Sequence, residues 1–211
     1  MTKHVSTKRA LILSLLSMLL CVSMLVGSTY AWFTDTATTG VNKILAGNLD
    51  VKLMYSTDMQ TWKEATEQTK LFDDNALWEP GYTQVVYLKV VNAGNLALKY
   101  ETGFSKNYTS NRGKNKNGDW FRVDHYLKIG TVETEEAFGS REAVWAAIAD
   151  SEKTLAKDVM LTNGWITLEA GKESKPFAVA IYMPTSVGNE ANSSKYRPSS
   201  VSGLGIEVRA T

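Results

Sequence analysis

The sequence predicts a mainly β protein built as an antiparallel β-sandwich with a small helical insertion. Apolar and polar residues alternate in several short segments, Gly, Pro and Asn separate these segments, and one Ala- and Glu-rich stretch breaks the alternation. Alternation with a period of two is typical of strands that bury one face. Seven or eight such strands in one chain favour two packed sheets.

The predicted strands follow one another through most of the chain. They lie around residues 49–53, 85–91, 96–100, 120–129, 165–168, 177–183 and 205–209. Asn92-Ala93-Gly94-Asn95 joins the second and third strands, and its residues suit a tight hairpin turn. Polar, glycine-bearing or long connections are predicted as loops at 57–75, 110–119 and 188–200.

Residues 134–160 change the pattern to Ala, Glu and Lys. Ala143, Val144 and Ile148 recur at helical spacing, and Ser140 is the predicted N-cap. We expect one or two helices here, covering one end or edge of the sandwich.

The first 31 residues are predicted to be a secretory signal peptide. Basic residues precede an uncharged apolar run, residues 11–26, that is too short for a stable membrane span. Thr29-Tyr30-Ala31 fits a small-x-small cleavage site, so we expect cleavage between Ala31 and Trp32. The predicted organisation is a signal peptide (1–31), an N-terminal segment (32–46) and a sandwich domain (47–211) with its helical insert near 134–160.

Charge and cysteine content exclude several classes of function. Removing residues 1–31 leaves 20 basic against 22 acidic side chains, a net charge of −2, which gives no electrostatic argument for binding nucleic acid or an anionic membrane. Cys21, the sole cysteine, lies in the apolar leader, so the mature chain has no disulfide and no thiol nucleophile. Lipid attachment at Cys21 is disfavoured because Leu20, a large residue, precedes it.

Residues that carry catalysis or bind metals are scarce, and neither an enzyme nor a cofactor is predicted. His4 leaves with the leader, His125 is expected in a strand, and neither a paired-histidine zinc motif nor a nucleophile elbow is present. Asp73, Asp74 and Asn75 form the best alternative site, which would bind calcium. The loop Lys114-Asn115-Lys116 is basic but has no interleaved aromatic residue, so no nucleic-acid partner is predicted.

The aromatic residues are the remaining resource for recognition. Most of the six Trp residues are expected in the core, because large aromatics dominate burial in sandwiches. Trp32 and Phe33 are different, since they begin the predicted mature chain. We expect them to anchor this arm in its own domain or in the sheet of a neighbour.

Seven segments of the chain resemble the TasA/camelysin family of exported Gram-positive proteins. They are Tyr30-Ala31-Trp32-Phe33-Thr34-Asp35-Thr36, Ala46-Gly47-Asn48-Leu49-Asp50-Val51, Trp78-Glu79-Pro80-Gly81, the strand and turn 87–96, Tyr182-Met183-Pro184, Gly188-Asn189-Glu190 and the closing strand 206–210.

The resemblance implies a secreted, jelly-roll-like β-sandwich that polymerises into biofilm matrix fibres. Its leader would be cut by an ER-type signal peptidase, and the segment after the cut would complete the sheet of the next subunit. Expected partners are other copies of the chain, the signal peptidase, and an accessory fibre or anchoring protein. The donor residues implied in this way are Trp32, Phe33, Thr34, Asp35, Thr36, Val41 and Ile44.

Two other functions remain open at this point. A monomeric surface-exposed β-sandwich would act as an adhesion or binding module through loops such as 110–119. A metal-dependent peptidase would fit a label that the family also carries, although the sequence offers no metal-binding pattern to support it.

Overall fold

The computed structural model describes residues 7–31, 35–38, 49–105, 107–157 and 159–211, and only the backbone of 7–9, 24–31 and 35–38. The chain divides into two compact units, Met1–Thr34 and Asp35–Thr211. The first contains helix α1 (Thr7–Ala31), in which Leu11 and the other large apolar side chains described are exposed. None of the helices in the described ranges is long and apolar enough to cross a membrane.

The second unit is mainly β. Its described strands are β1 (Asp35–Thr38), β2 (Val51–Ser56), β3 (Lys63–Glu64), β4 (Thr83–Asn92), β5 (Leu98–Phe104), β6 (Thr109–Asn111), β7 (Gly113–Lys114), β8 (Trp120–Phe121), β9 (Lys128–Glu133), β10 (Lys153–Thr154), β11 (Ile166–Leu168), β12 (Phe177–Tyr182), β13 (Ser200–Ser202) and β14 (Ile206–Ala210). Helix α2 (Arg141–Ile148) and 3-10 turns at Val123–Tyr126, Ala149–Ser151 and Asn189–Ala191 complete the unit.

Two antiparallel sheets enclose one apolar core. A four-stranded sheet has the order β1-β14-β5-β11, and a six-stranded sheet has the order β10-β9-β12-β4-β2-β3. Val90 and Ile181 from the larger sheet share a buried cluster with Tyr100, Phe104 and Val208 from the smaller one. The mainly β, antiparallel fold with a helical insertion is therefore confirmed.

Helix α2 forms where the sequence predicts it. The Ser140 side chain caps the helix by accepting a hydrogen bond from the backbone N–H of Ala143 at 3.2 Å. Val144 and Ile148 pack on Ala180 and Tyr182 of β12. Ala180 and Tyr182 lie on the outer face of the six-stranded sheet, so helix α2 covers that face. The expected position of the helix, at an end or edge of the sandwich, was wrong.

Replacing Ser140 by Ala is expected to lower the free energy of unfolding by about 1 kcal/mol, because the first turn of α2 loses its cap. Urea denaturation measures this change. Ser140→Asp keeps an acceptor oxygen and is expected to preserve stability. Equal stability of the Ala variant and the parent would show that the cap contributes nothing.

The segment Asn92-Ala93-Gly94-Asn95 does not form the predicted hairpin. It connects β4 of the six-stranded sheet to β5 of the four-stranded sheet. The buried Asn92 side chain accepts a hydrogen bond from Gly94 N–H at 3.0 Å and donates to the carbonyls of Leu96 and Leu168 at 2.8 and 3.1 Å. The turn is therefore a corner that joins the two sheets, and the buried amide of Asn92 holds this corner in place.

The predicted strand at 120–129 is broken in its middle. β8 ends at Phe121, the 3-10 turn Val123–Tyr126 follows, and β9 begins at Lys128. His125 is exposed on that turn instead of lying in a strand. The loop predicted at 110–119 is also more ordered than expected, since it includes β7 and the buried Asn115.

The prediction that most Trp residues are core residues was wrong. Trp78 and Trp145 are half-buried, and Trp145 donates a hydrogen bond from Nε1 to Thr83 Oγ1 at 3.0 Å. Trp62 is half-buried beneath Lys89, whose Nζ lies 4.8 Å from the ring centroid. Trp120 and Trp165 are exposed by 47% and 48%. Smaller side chains and Tyr fill the interior instead.

Candidate functional site

The most informative site for assembly is the edge at which β1 pairs with β14. The two strands are antiparallel, with Asp35 opposite Ala210 and Thr38 opposite Glu207. Asp35 and Thr36 are thus the predicted donor residues that the structure places. Trp32, Phe33, Thr34, Val41 and Ile44 lie outside the described residues, as does the cleavage point beyond Ala31, where α1 ends.

Burial of its side chains and pairing with β5 hold strand β14 within the sandwich. Its alternate residues Ile206, Val208 and Ala210 are fully buried and face the common core. On its other side it pairs with β5 along its whole length, from Ile206 opposite Phe104 to Ala210 opposite Tyr100. β14 therefore keeps a fixed position from which its second edge can accept a strand.

A charged network holds the solvent-facing side of β14 to β5. Arg209 contacts Glu207 on its own strand and Glu101 on β5, with nitrogen–oxygen distances of 3.4 Å in each case. The hydrogen bond that Arg209 donates to Glu207, with the negative charges of both carboxylates, raises the pKa of Arg209. Among the side chains that the structure describes, this network consists of residues of β14 and β5.

Strand β1 is the outermost strand of its sheet and is joined by only four residue pairs. If it moved away, the backbone N–H and C=O groups of β14 that it covers would be left without partners. The ten residues 39–48 connect β1 to the next described segment. An extended chain of that length spans at most about 35 Å.

The opposite edge of the same sheet is formed by β11. This three-residue strand pairs with β5, and no described strand lies on its other side. Trp165 and Ile166 are exposed by 48% and 41%, and Ile166 lines a groove of about 550 Å³. The sequence predicts this strand, around 165–168, but not its place at the edge of the sheet, because strand order depends on partners far along the chain.

The two carboxylates of the predicted calcium site bind groups of the protein itself. Asp73 accepts a hydrogen bond from the backbone of Asn75 at 2.9 Å. Asp74 accepts one from Gly203 N–H at 2.9 Å and pairs with Lys70 at 3.1 Å. Within the described ranges, no three His, Cys, Asp or Glu side chains are grouped so as to hold a metal ion.

The family model described as camelysin metallo-endopeptidase matches residues 6–128, more than half of the chain. No curated protein and no solved structure shows a significant match. The metal that this description implies finds no fitting set of ligands among the described residues. The matched range includes α1, β1 and the corner at Asn92. The chain belongs to the TasA/camelysin family.

Proposed function

We propose that the protein is a secreted structural subunit of extracellular biofilm matrix fibres, in which the N-terminal strand of one subunit pairs with β14 of the next. One observation carries the proposal: β14 pairs with Asp35–Thr38 in an antiparallel ladder. Family membership supports a secreted, biofilm-related role, because the family is extracellular or surface-associated.

The pairing of β1 with β14 within one chain supports an exchange between chains. A neighbour's strand in the same register forms the same hydrogen bonds, so moving from the internal to the intermolecular partner costs little in contacts. Such an exchange joins the donor strand of one copy to the acceptor edge of another. Since these two surfaces differ, the contact does not close on itself and propagates as a filament.

The position of the predicted cleavage fits this role. α1 ends at Ala31 and β1 begins at Asp35. Cleavage between Ala31 and Trp32 would leave β1 close to a free N-terminus. We therefore propose that processing releases the strand for exchange.

Cysteine pairs test the exchange, because the chain has no cysteine once the leader is removed. Thr36 lies directly opposite Arg209. Opposed residues in an antiparallel pair have Cα atoms about 4.5–5.5 Å apart, within the range of a disulfide. Mixing processed Thr36→Cys chains with processed Arg209→Cys chains is expected to give an intermolecular disulfide, seen on non-reducing gels, and filaments in negative-stain microscopy.

Two controls separate this interface from other contacts. Thr36→Cys mixed with Thr167→Cys places the second thiol on β11, and little crosslinking is expected there. A chain beginning at Gly47 lacks the donor and is expected to remain monomeric, with a thermal melt to confirm that it folds. Preferred crosslinking to β11, or filaments from the shortened chain, would overturn the proposal. Monomers in every arm would favour the adhesion or binding module instead.

Peptidase activity is the competing function, since the family description names a metallo-endopeptidase. We propose a non-enzymatic role, supported by the donor and acceptor strands described above. Chelator-sensitive cleavage of casein that is lost in His125→Ala would contradict this part of the proposal.

A further inference from the structure

We infer that an exposed cationic platform, formed by Arg112, Lys114, Trp120 and Arg197, binds linear phosphodiester polymers. The platform lies on Arg112 and β7, on β8 and on the segment before β13, and none of these strands belongs to the four-stranded sheet that contains the β1–β14 ladder. The inference stands independently of fibre formation.

The platform is centred on the Trp120 ring, which is 47% exposed. Three cations lie over this ring, with Arg112 at 5.0 Å, Lys114 at 5.2 Å and Arg197 at 5.6 Å from its centroid. A ring face attracts cations through its quadrupole, which offsets part of their mutual repulsion. Trp120 thus concentrates three positive charges in a small area.

Backbone hydrogen bonds fix the positions of these residues. Lys114 lies opposite Trp120 in the β7–β8 pair. Its N–H donates to the carbonyl of Arg197 at 2.8 Å, and its own carbonyl accepts from Ser194 N–H at 2.8 Å. Main-chain hydrogen bonds therefore join β7 to the segment that carries Arg197. Because these segments are already held together, a ligand does not have to order them when it binds.

The three cations are available to an external anion. Among the described side chains, none of the three forms an ion pair with a carboxylate. Lys116 and Lys195 lie in the same two segments of the chain, which also contain the acidic residues Asp119 and Glu190. This surplus of positive charge contrasts with the net charge of −2 of the predicted mature chain.

The chemistry of the platform favours closely spaced phosphates. Any two of its cations are within about 11 Å of each other, because each is at most 5.6 Å from one centroid. A polymer that neutralises all three needs a high linear charge density, which nucleic-acid strands have. Arg112 and Arg197 each carry a planar guanidinium that can bind phosphate through two parallel hydrogen bonds.

An acidic polysaccharide fits the platform less well. Sugar rings bind proteins largely by stacking on open aromatic faces, and the cations already lie over Trp120. The sequence hid this site because Lys114-Asn115-Lys116 has no aromatic residue between its charges, and the β7–β8 pairing supplies one.

Fluorescence anisotropy with labelled oligothymidylate tests the inference. For three phosphate contacts on a single strand, raising the salt from about 50 to about 200 mM is expected to weaken binding roughly 20-fold. The combined variant Arg112→Gln, Lys114→Gln and Arg197→Gln is expected to bind at least about tenfold more weakly and to lose this salt dependence. Trp120→Leu alone is expected to weaken binding about fivefold, since the cations lose their shared partner.

The matched control removes three exposed lysines elsewhere, by Lys63→Gln, Lys99→Gln and Lys172→Gln, with the same change in net charge. It is expected to bind like the parent. Inorganic polyphosphate and polygalacturonate serve as competitors. If polyphosphate competes, the platform recognises phosphates from any source. If polyphosphate does not compete while oligothymidylate binds tightly, the platform is assigned to nucleic acid. Equal weakening in the control, unchanged binding in the platform variant, or stronger competition by polygalacturonate would overturn the inference.

Discussion

Replacing Asn92 by Ala is expected to lower the free energy of unfolding by about 3 kcal/mol. The amide side chain is fully buried and serves three backbone groups, the N–H of Gly94 and the carbonyls of Leu96 and Leu168. A buried polar group left without a partner costs about 1–3 kcal/mol. Because Leu168 belongs to β11 and Asn92 to β4, the loss also weakens a contact between the two sheets.

Equilibrium denaturation in urea measures the effect. The comparison requires that the unfolding free energy of the variant and of the parent depend equally on the urea concentration. Asn111→Ala is the control, since its exposed side chain makes a single long hydrogen bond to Ser200 at 3.4 Å. That change is expected to stay within about 0.5 kcal/mol of the parent. A loss below about 1 kcal/mol in Asn92→Ala would show that water replaces the amide and that the corner does not depend on it.

Replacing Gly113 by Ala is expected to destabilise the protein by about 3 kcal/mol, at the upper end of the usual cost of overpacking. A Cβ atom at this position would lie 2.2 Å from the backbone nitrogen of Ser199 and 2.7 Å from the carbonyl oxygen of Arg197. Backbone atoms cannot move aside as the end of a flexible side chain can. The added methyl group is therefore expected to push β7 away from the segment that carries Arg197.

Two measurements separate this local displacement from general destabilisation. Thermal unfolding reports the stability, and oligothymidylate binding reports whether the cationic platform keeps its geometry. Gly139→Ala is the matched control, because a Cβ there meets no atom within 4 Å, and it is expected to leave both measurements unchanged. A Gly113→Ala chain that melts and binds like the parent would contradict the close packing of β7 on residues 197–199.

Local signals in the sequence predicted the elements whose causes are local. The alternation around Val86, Leu88 and Val90 marks β4, and all three side chains are buried. The spacing of Val144 and Ile148 after Ser140 marks α2 and its cap. In each case the residues that determine the structure lie within one strand or one helix.

The features that sequence patterns missed depend on partners far along the chain. Asn92-Ala93-Gly94-Asn95 has residues that suit a hairpin and a corner equally well, and the corner forms because β5 pairs with β14 and β11. Trp120 looked like the start of a strand, but its surroundings come from Arg112 and Arg197. For the donor segment, the composition predicted an extended arm. Its pairing with β14 could be identified only from the folded structure.

The pairing of β1 with β14 joins an early part of the chain to its last strand, and this determines when the ladder can form during synthesis. A ribosome makes Asp35 long before Ala210, its partner in the ladder, and contacts between distant residues form late in folding. Until Ala210 has been made, the early strand has no partner within its own chain, so the ladder between β1 and β14 can close only at the end of synthesis.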